Sequence, residues 1–259
     1  MEPETIGEPV QEETVTAKNF FSRLGGVFFS PREAFTEIGK APRLVIPIIA
    51  LFLVSAFNSW YLMQKIDARE TARIQIEQAV RQGQITEDQM NQQLALISAT
   101  TGPVLAIVGG VGTLFLCFVI AGYGKLFSMT SSAENSYKSL LEVSVYAMLV
   151  VGIVSAVLLI IILQIRGPGR IDASNISSVV SSNLGAWITS IAGADALPRF
   201  IMRLAGAVDI FNIWIIAILS IGFSAVSKKL KTATAAMWLV SIYVIFSIIS
   251  AAVSSMFGQ

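Results

Sequence analysis

The sequence predicts an all-α integral membrane protein: five transmembrane helices, an N-terminal interfacial amphipathic helix and extracytoplasmic helical insertions. Three observations predict it. The hydrophobic fraction is 54% and the charged fraction 14%, against roughly 45–50% and about 25% in soluble domains. Five apolar runs are long enough for a hydrocarbon layer of about 30 Å, which takes roughly 20 helical residues. Polar segments with helix-capping signals separate or precede those runs.

The elements follow in order. Residues 1–17 are acidic and polar, MEPETIGEPVQEETVTA, and read as a disordered tail. They lack the basic, then apolar, then small-residue order of a cleaved signal, so insertion depends on an internal span. Residues 18–259 form the membrane domain. Phe20, Phe21, Leu24, Val27 and Phe28 follow helical spacing, with Lys18 and Arg23 near the polar side. That pattern suits a helix lying among lipid headgroups; it equally suits a helix packed on its own bundle. Ser30 reads as an N-cap, Pro31 as the first helical residue and Glu33, three residues after the cap, as its capping-box partner. Gly39 stands where a left-handed helix stop is wanted. Pro42 and Pro47 follow, and Pro47 inside the first apolar run predicts a kink.

The spans are about 44–64, 103–123, 143–165, 210–227 and 232–257. Trp60 and Tyr61 close the first as interface anchors, and Trp214 sits near the start of the fourth. Asn58, inside the first, is expected to hydrogen-bond a neighbouring helix. Gly109, Gly110 and Gly112 in the second would let another helix approach closely. The charged, glutamine-rich insertion 65–101 reads as a helical hairpin outside the bilayer, extending the ends of the spans it joins. Within it, Thr86 and Gln89 fit a second capping box. Gly167, Pro168 and Gly169 break the chain after the third span, and 166–206 reads as short surface helices. Asn183 and Gly185 make 174–193 too polar for a span.

Orientation rests on density of positive charge. Lys228, Lys229 and Lys231 fill one tight turn, whereas the basic residues of the two insertions are spread among acids. The N-terminus is therefore expected inside and the C-terminus outside, in a bacterial plasma membrane.

Composition also excludes functions. A net charge of +1 suggests no nucleic-acid partner. The chain has no histidine, the commonest acid–base group and metal ligand. Cys117 is alone, so no internal disulfide can form. There is no phosphate-cradling glycine loop with lysine, no serine elbow, no paired carboxylates within a span and no metal-ligand cluster. No cofactor, no metal and no catalytic residue are expected. Asn175-Ile176-Ser177 matches a glycosylation acceptor, which carries no weight in a bacterial protein.

Several motifs resemble one family. Phe29-Ser30-Pro31 with Phe35, then Pro42 and Pro47, is similar to the opening motif of the Yip family, the Ypt/Rab-interacting membrane proteins, and most like its bacterial branch. Gly122-Tyr123-Gly124-Lys125, Ser136-Tyr137 and Val145-Tyr146-Ala147 resemble that branch's second inner turn and third span. Asp209-Ile210-Phe211-Asn212-Ile213-Trp214 resembles its entry to the fourth span. Gly222 and the lysine turn also fall in place. The likeness runs from about Phe20 to the end; the charged hairpin and the acidic tail depart from it. It implies a non-enzymatic scaffold or adaptor in membrane organisation, of the kind whose eukaryotic members bind Rab-type GTPases from the cytoplasmic side. Its contacts would be the lipid bilayer, a cytoplasmic protein partner and further copies of itself.

Two groups of residues are candidate sites. Asp209, Asn212, Ser220, Ser224 and Ser227 share one face of the fourth helix. They read either as a polar path for an ion or small solute, making the protein a transporter or channel, or as a helix–helix contact with Asp209 held by Arg203, Arg199 or backbone amides. Ser247, Ser250, Ala251 and Ser254 on the fifth helix offer a matching face. The second group, Lys228, Lys229 and Lys231 with Arg32 and Arg43, would meet a partner or anionic lipid. Lys125 and Glu142, at inner span ends, could snorkel or pair.

Overall fold

A computed structural model describes residues 19–64, 86–131, 133–165, 181–193 and 196–257, with isolated positions 73, 76 and 80. The acidic tail 1–17, most of the first half of the 65–101 hairpin, residues 166–180 and the Asn175-Ile176-Ser177 triplet lie outside them. The described residues are helical and carry no strand; two isolated antiparallel bridges, Glu134 to Lys228 and Asn183 to Asp209, tie loops together.

Two short helices come first. α1 (Phe20–Phe29) starts on Asn19, whose side chain accepts from Ser22 N–H at 2.9 Å. α2 (Pro31–Lys40) begins with Pro31, whose missing N–H is harmless there. Ser30 makes no side-chain cap bond, so the expected capping box does not form. Gly39 is not a left-handed stop either, since α2 continues through Lys40. It is needed for contact: an added Cβ would lie 3.2 Å from Val226 Cγ1.

α3 (Val45–Met63) places Pro47 in its first turn. At a helix start Pro47 has no intrahelical bond to break. α4 (Glu87–Thr130) opens on the Thr86–Gln89 capping box and runs unbroken through Pro103. The polar residues 87–99 therefore extend the same helix as the second apolar run. α5 (Tyr137–Ile165) is the central element, its buried residues running from Ser139 to Leu163. α6 (Leu184–Ala192) and α7 (Arg199–Ala207) form a short hairpin, and α8 (Ile210–Val226) and α9 (Thr232–Phe257) a longer one.

Four helices are long and apolar enough to cross a membrane by length and composition: Val45–Met63, Thr100–Thr130, Tyr137–Ile165 and Thr232–Ser255. α8 is a shorter apolar helix. Much of the outer surface is greasy, with Ile46, Phe115, Ile161, Phe246 and Ile249 all exposed. A water-soluble domain does not present such a belt.

Small residues set the packing distances. A Cβ on Gly110 would fall 2.6 Å from the Phe52 ring, and one on Gly109 would overlap Ser59, so α3 lies hard against α4. Gly112 faces open space, and its expected close contact is not made. Gly222 of α8 would push a Cβ into Val143 Cγ1 and within 3.0 Å of the Phe35 ring. α2, α5 and α8 thus converge on one glycine, with Phe35 and Ile38 fully buried beside it.

Candidate functional site

One cluster of polar contacts lies at the lysine-turn end of the bundle. α1, the 41–44 link, the 131–136 turn and the lysine turn all meet there. Arg23 Nη1 donates to Glu142 Oε1 at 3.1 Å and to Ala41 O at 3.0 Å. Glu142 Oε2 accepts from the backbone N–H of Arg43 at 2.5 Å. Arg23 is 2% exposed and Glu142 0%. Spacing placed Arg23 near the polar side of α1; it is instead turned inward with Val27, because Glu142 awaits it on α5. Arg23 Nε and Nη2 have no partner among the described residues.

Lys125, considered for Glu142, reaches Asn135 O at 2.7 Å and Asn135 Oδ1 at 3.4 Å. Asn135 Nδ2 donates to Ser227 Oγ at 2.8 Å. Lys228 Nζ donates to Glu134 Oε2 at 2.8 Å across the protein surface. That hydrogen bond, then the lysine charge, holds the Glu134 carboxyl below its ordinary value, and the same two effects of Glu134 raise Lys228. Lys229 takes the left-handed conformation, φ 66°, at the tip of this turn. Lys229, Lys231 and Arg43 are exposed here; Arg32 is exposed too, but it lies in the first turn of α2, before Phe35 at Gly222 and far along the helix from Gly39 at Val226. The end therefore has a buried ion pair inside and a cationic rim outside.

The fourth-helix polar residues are tied up separately. Asp209 caps α8, accepting from Phe211 N–H at 2.8 Å and Asn212 N–H at 3.3 Å, and its other oxygen accepts from the Ser182 hydroxyl. Of the holders expected for it, the backbone amides are in place. Asn212 Nδ2 donates to Tyr243 OH at 2.9 Å, and Tyr243 OH donates to Ala207 O at 2.7 Å. Ser220 Oγ donates to Ile216 O and Ser224 Oγ to Leu230 O. Ser247 Oγ donates to Tyr243 O. Asn58 Oδ1, expected to bond a neighbouring helix, is buried without a partner among the described residues.

The motif residues sit at helix starts and packing contacts. Pro31 opens α2, Phe35 fills the α2–α5–α8 junction, Pro42 is half-buried and Pro47 buried. Trp214 stacks edge-on to Phe28 at 5.8 Å, pinning α1 to α8. Sequence reasoning missed the Arg23–Glu142 pair. A signal was present: Arg23 lies three residues after Phe20 and four before Val27, on the apolar face.

The Yip1 domain profile matches residues 25–253. The chain belongs to the Yip1 family. A curated relative, membrane protein YknW of Bacillus subtilis, is 24% identical over 238 residues, covering 91% of this chain and 92% of that protein. No solved structure matches. With its apolar helices, this Yip1-domain chain is a multi-pass membrane protein. The Yip1 match takes in the 131–136 turn, the lysine turn and Glu142; Arg23 lies two residues before it.

Proposed function

We propose that this protein is a non-catalytic membrane scaffold or adaptor that presents the cationic end of its bundle to a cytoplasmic partner or to anionic lipid. The observation that carries the reading is the convergence of three separate segments on that end. Arg23–Glu142 fixes α1 and the entry to α3, Glu134–Lys228 fixes the lysine turn, and Gly39–Val226 fixes α2. A rim of Arg43, Lys229 and Lys231 is a contact surface that needs no chemistry of its own.

In this reading the chain crosses a bacterial plasma membrane five times, with α8 in the fourth crossing, the N-terminus inside and the C-terminus outside. The 131–136 and lysine turns then share the cytoplasmic side, in keeping with their mutual contact. Neither nucleic acid nor a cofactor takes part, and self-association is compatible with the broad apolar belt. The rival transporter reading draws on Asp209 and the α8 polar face. Support for packing over transport is that Asp209, Asn212, Ser220 and Ser224 each have a partner within the bundle.

The test uses protein in nanodiscs of zwitterionic lipid, presented with anionic vesicles and with cytoplasmic extract. Replacing Lys228, Lys229 and Lys231 by glutamine should abolish docking. Retained docking would remove this end as the contact surface. Ion or solute flux into proteoliposomes that disappears with Asp209→Asn would favour transport.

A further inference from the structure

We infer that the α6–α7 hairpin is immersed in the bilayer leaflet opposite the lysine turn, so that α7 and α8 together make one broken fourth span whose surroundings are lipid acyl chains. The inference rests on the five-crossing reading for the place of α8.

Register along α9 gives the depth. α9 starts beside the lysine turn, and its Tyr243 bonds Asn212 and Ala207, at the start of α8 and the end of α7. At 1.5 Å per residue, Tyr243 stands about 18 Å from Lys231. A hydrocarbon slab of about 30 Å then leaves roughly 12 Å still to cross. α8 alone cannot cross it, because Asp209 already ends that helix. α7 packs against α9, and its nine residues supply about 13 Å. That puts Arg199 at the far headgroup level and Arg203 one turn inside, within snorkelling reach. Beyond Tyr243, α9 exposes Val244, Ile245, Phe246, Ile248, Ile249 and Val253. These continue the apolar belt past the start of α8, so oil must extend to the level of α6 and α7.

The break itself is built for a dry setting. Irregular backbone at membrane depth must satisfy its own polar groups. Leu184 N–H donates to Val208 O at 2.9 Å and Ile210 N–H to Ser182 O at 3.1 Å. Asn183 caps α6 through Ala186 N–H at 2.8 Å, as Asp209 caps α8. A Cβ on Gly185 would lie 2.9 Å from Gly206 N, so the hairpin closes on itself without side chains between. Its large exposed side chains are mostly apolar, with Trp187 57% and Ile191 87% exposed, and its exposed charges among the described residues are Arg199 and Arg203 on α7. In water such a face would be a liability; in acyl chains it is the expected surface.

The experiment places a nitroxide at single cysteines in a Cys117→Ala background, in proteoliposomes, and measures collisions with oxygen and with a water-soluble nickel chelate. Leu184→Cys and Ile201→Cys lie on the hairpin; Lys229→Cys is the aqueous reference. The expected oxygen-to-nickel ratio is several-fold higher at both hairpin positions than at Lys229→Cys. Ratios matching Lys229→Cys at both would put the hairpin in water and overturn the inference. Both hairpin sites are partly exposed, so each variant should fold, and a ratio matching Lys229→Cys at either one would also overturn immersion of the whole hairpin. A C-terminal tag found on the same side as the lysine turn would defeat the five-crossing reading separately, without altering the hairpin ratios.

Discussion

Arg23 and Glu142 are 119 residues apart in sequence and 3.1 Å apart in space, both withdrawn from solvent. Their contact joins the first helix of the bundle to its central one. Because Glu142 also takes the Arg43 amide, the pair sets the angle at which the chain enters α3.

Breaking that pair should be costly. Glu142→Leu or Arg23→Met leaves one charge buried without its partner, a loss of about 3–5 kcal/mol. Replacing both, as Arg23→Met with Glu142→Leu, should recover much of it, since two apolar groups need no compensation. Melting temperatures in detergent for the four proteins give the coupling. Single variants that melt with the parent would show the pair to be idle.

Gly222 should tolerate no side chain. Gly222→Ala drives a methyl into Val143 and the Phe35 ring, and overpacking of this kind costs about 1–3 kcal/mol. Gly112→Ala is the matched control, because nothing lies within 4 Å of its Cβ. It should gain up to about 1 kcal/mol of helix propensity. Equal destabilisation at both sites would argue against the packing account of Gly222.

The Glu134–Lys228 bridge should make stability weakly pH-dependent. Glu134 has a lowered folded pKa, so its contribution exists above the unfolded carboxyl value and is lost as pH falls through the lowered one. Lys228 has a raised folded pKa, so its contribution exists below the unfolded lysine value and is lost as pH rises through the raised one. The melting-temperature difference between parent and Glu134→Gln should be flat between those limits and shrink beyond either. It should also shrink with added salt, as exposed pairs are screened. A difference that widened on acidification would contradict the assignment.

Asp209 should behave as a cap. Asp209→Ala removes the acceptor for Phe211 and Asn212 N–H and should cost about 0.5–2 kcal/mol. Asp209→Asn keeps a good capping side chain and should fall within a few tenths of the parent. A large loss with asparagine would mean that the negative charge itself is required.

Local patterns served the elements better than the contacts between them. The Thr86–Gln89 box forms as expected because a capping box involves only neighbours four residues wide. The Ser30 box does not form, although its residues are equally suitable, because the tight joint between α1 and α2 sets Ser30 at φ −141°, ψ 62°. Gly39, Gly109 and Gly110 were all legible as special, yet sequence read Gly39 as a stop. It could not know that Val226 would lie on it.

The sequence by itself determined the medium and the class. Apolar run length and hydrophobic fraction require lipid, and the ordered motifs point to the Yip1 family, because both depend on residues close together in the chain. Only the tertiary structure decided that Arg23 belongs to Glu142, that Lys125 belongs to Asn135, and that α2, α5 and α8 meet on Gly222. Arg23 and Glu142 come from distant segments, and even Lys125 finds Asn135 only across the turn that follows its helix; several cations are eligible for one buried carboxylate until helix packing selects the one that reaches it.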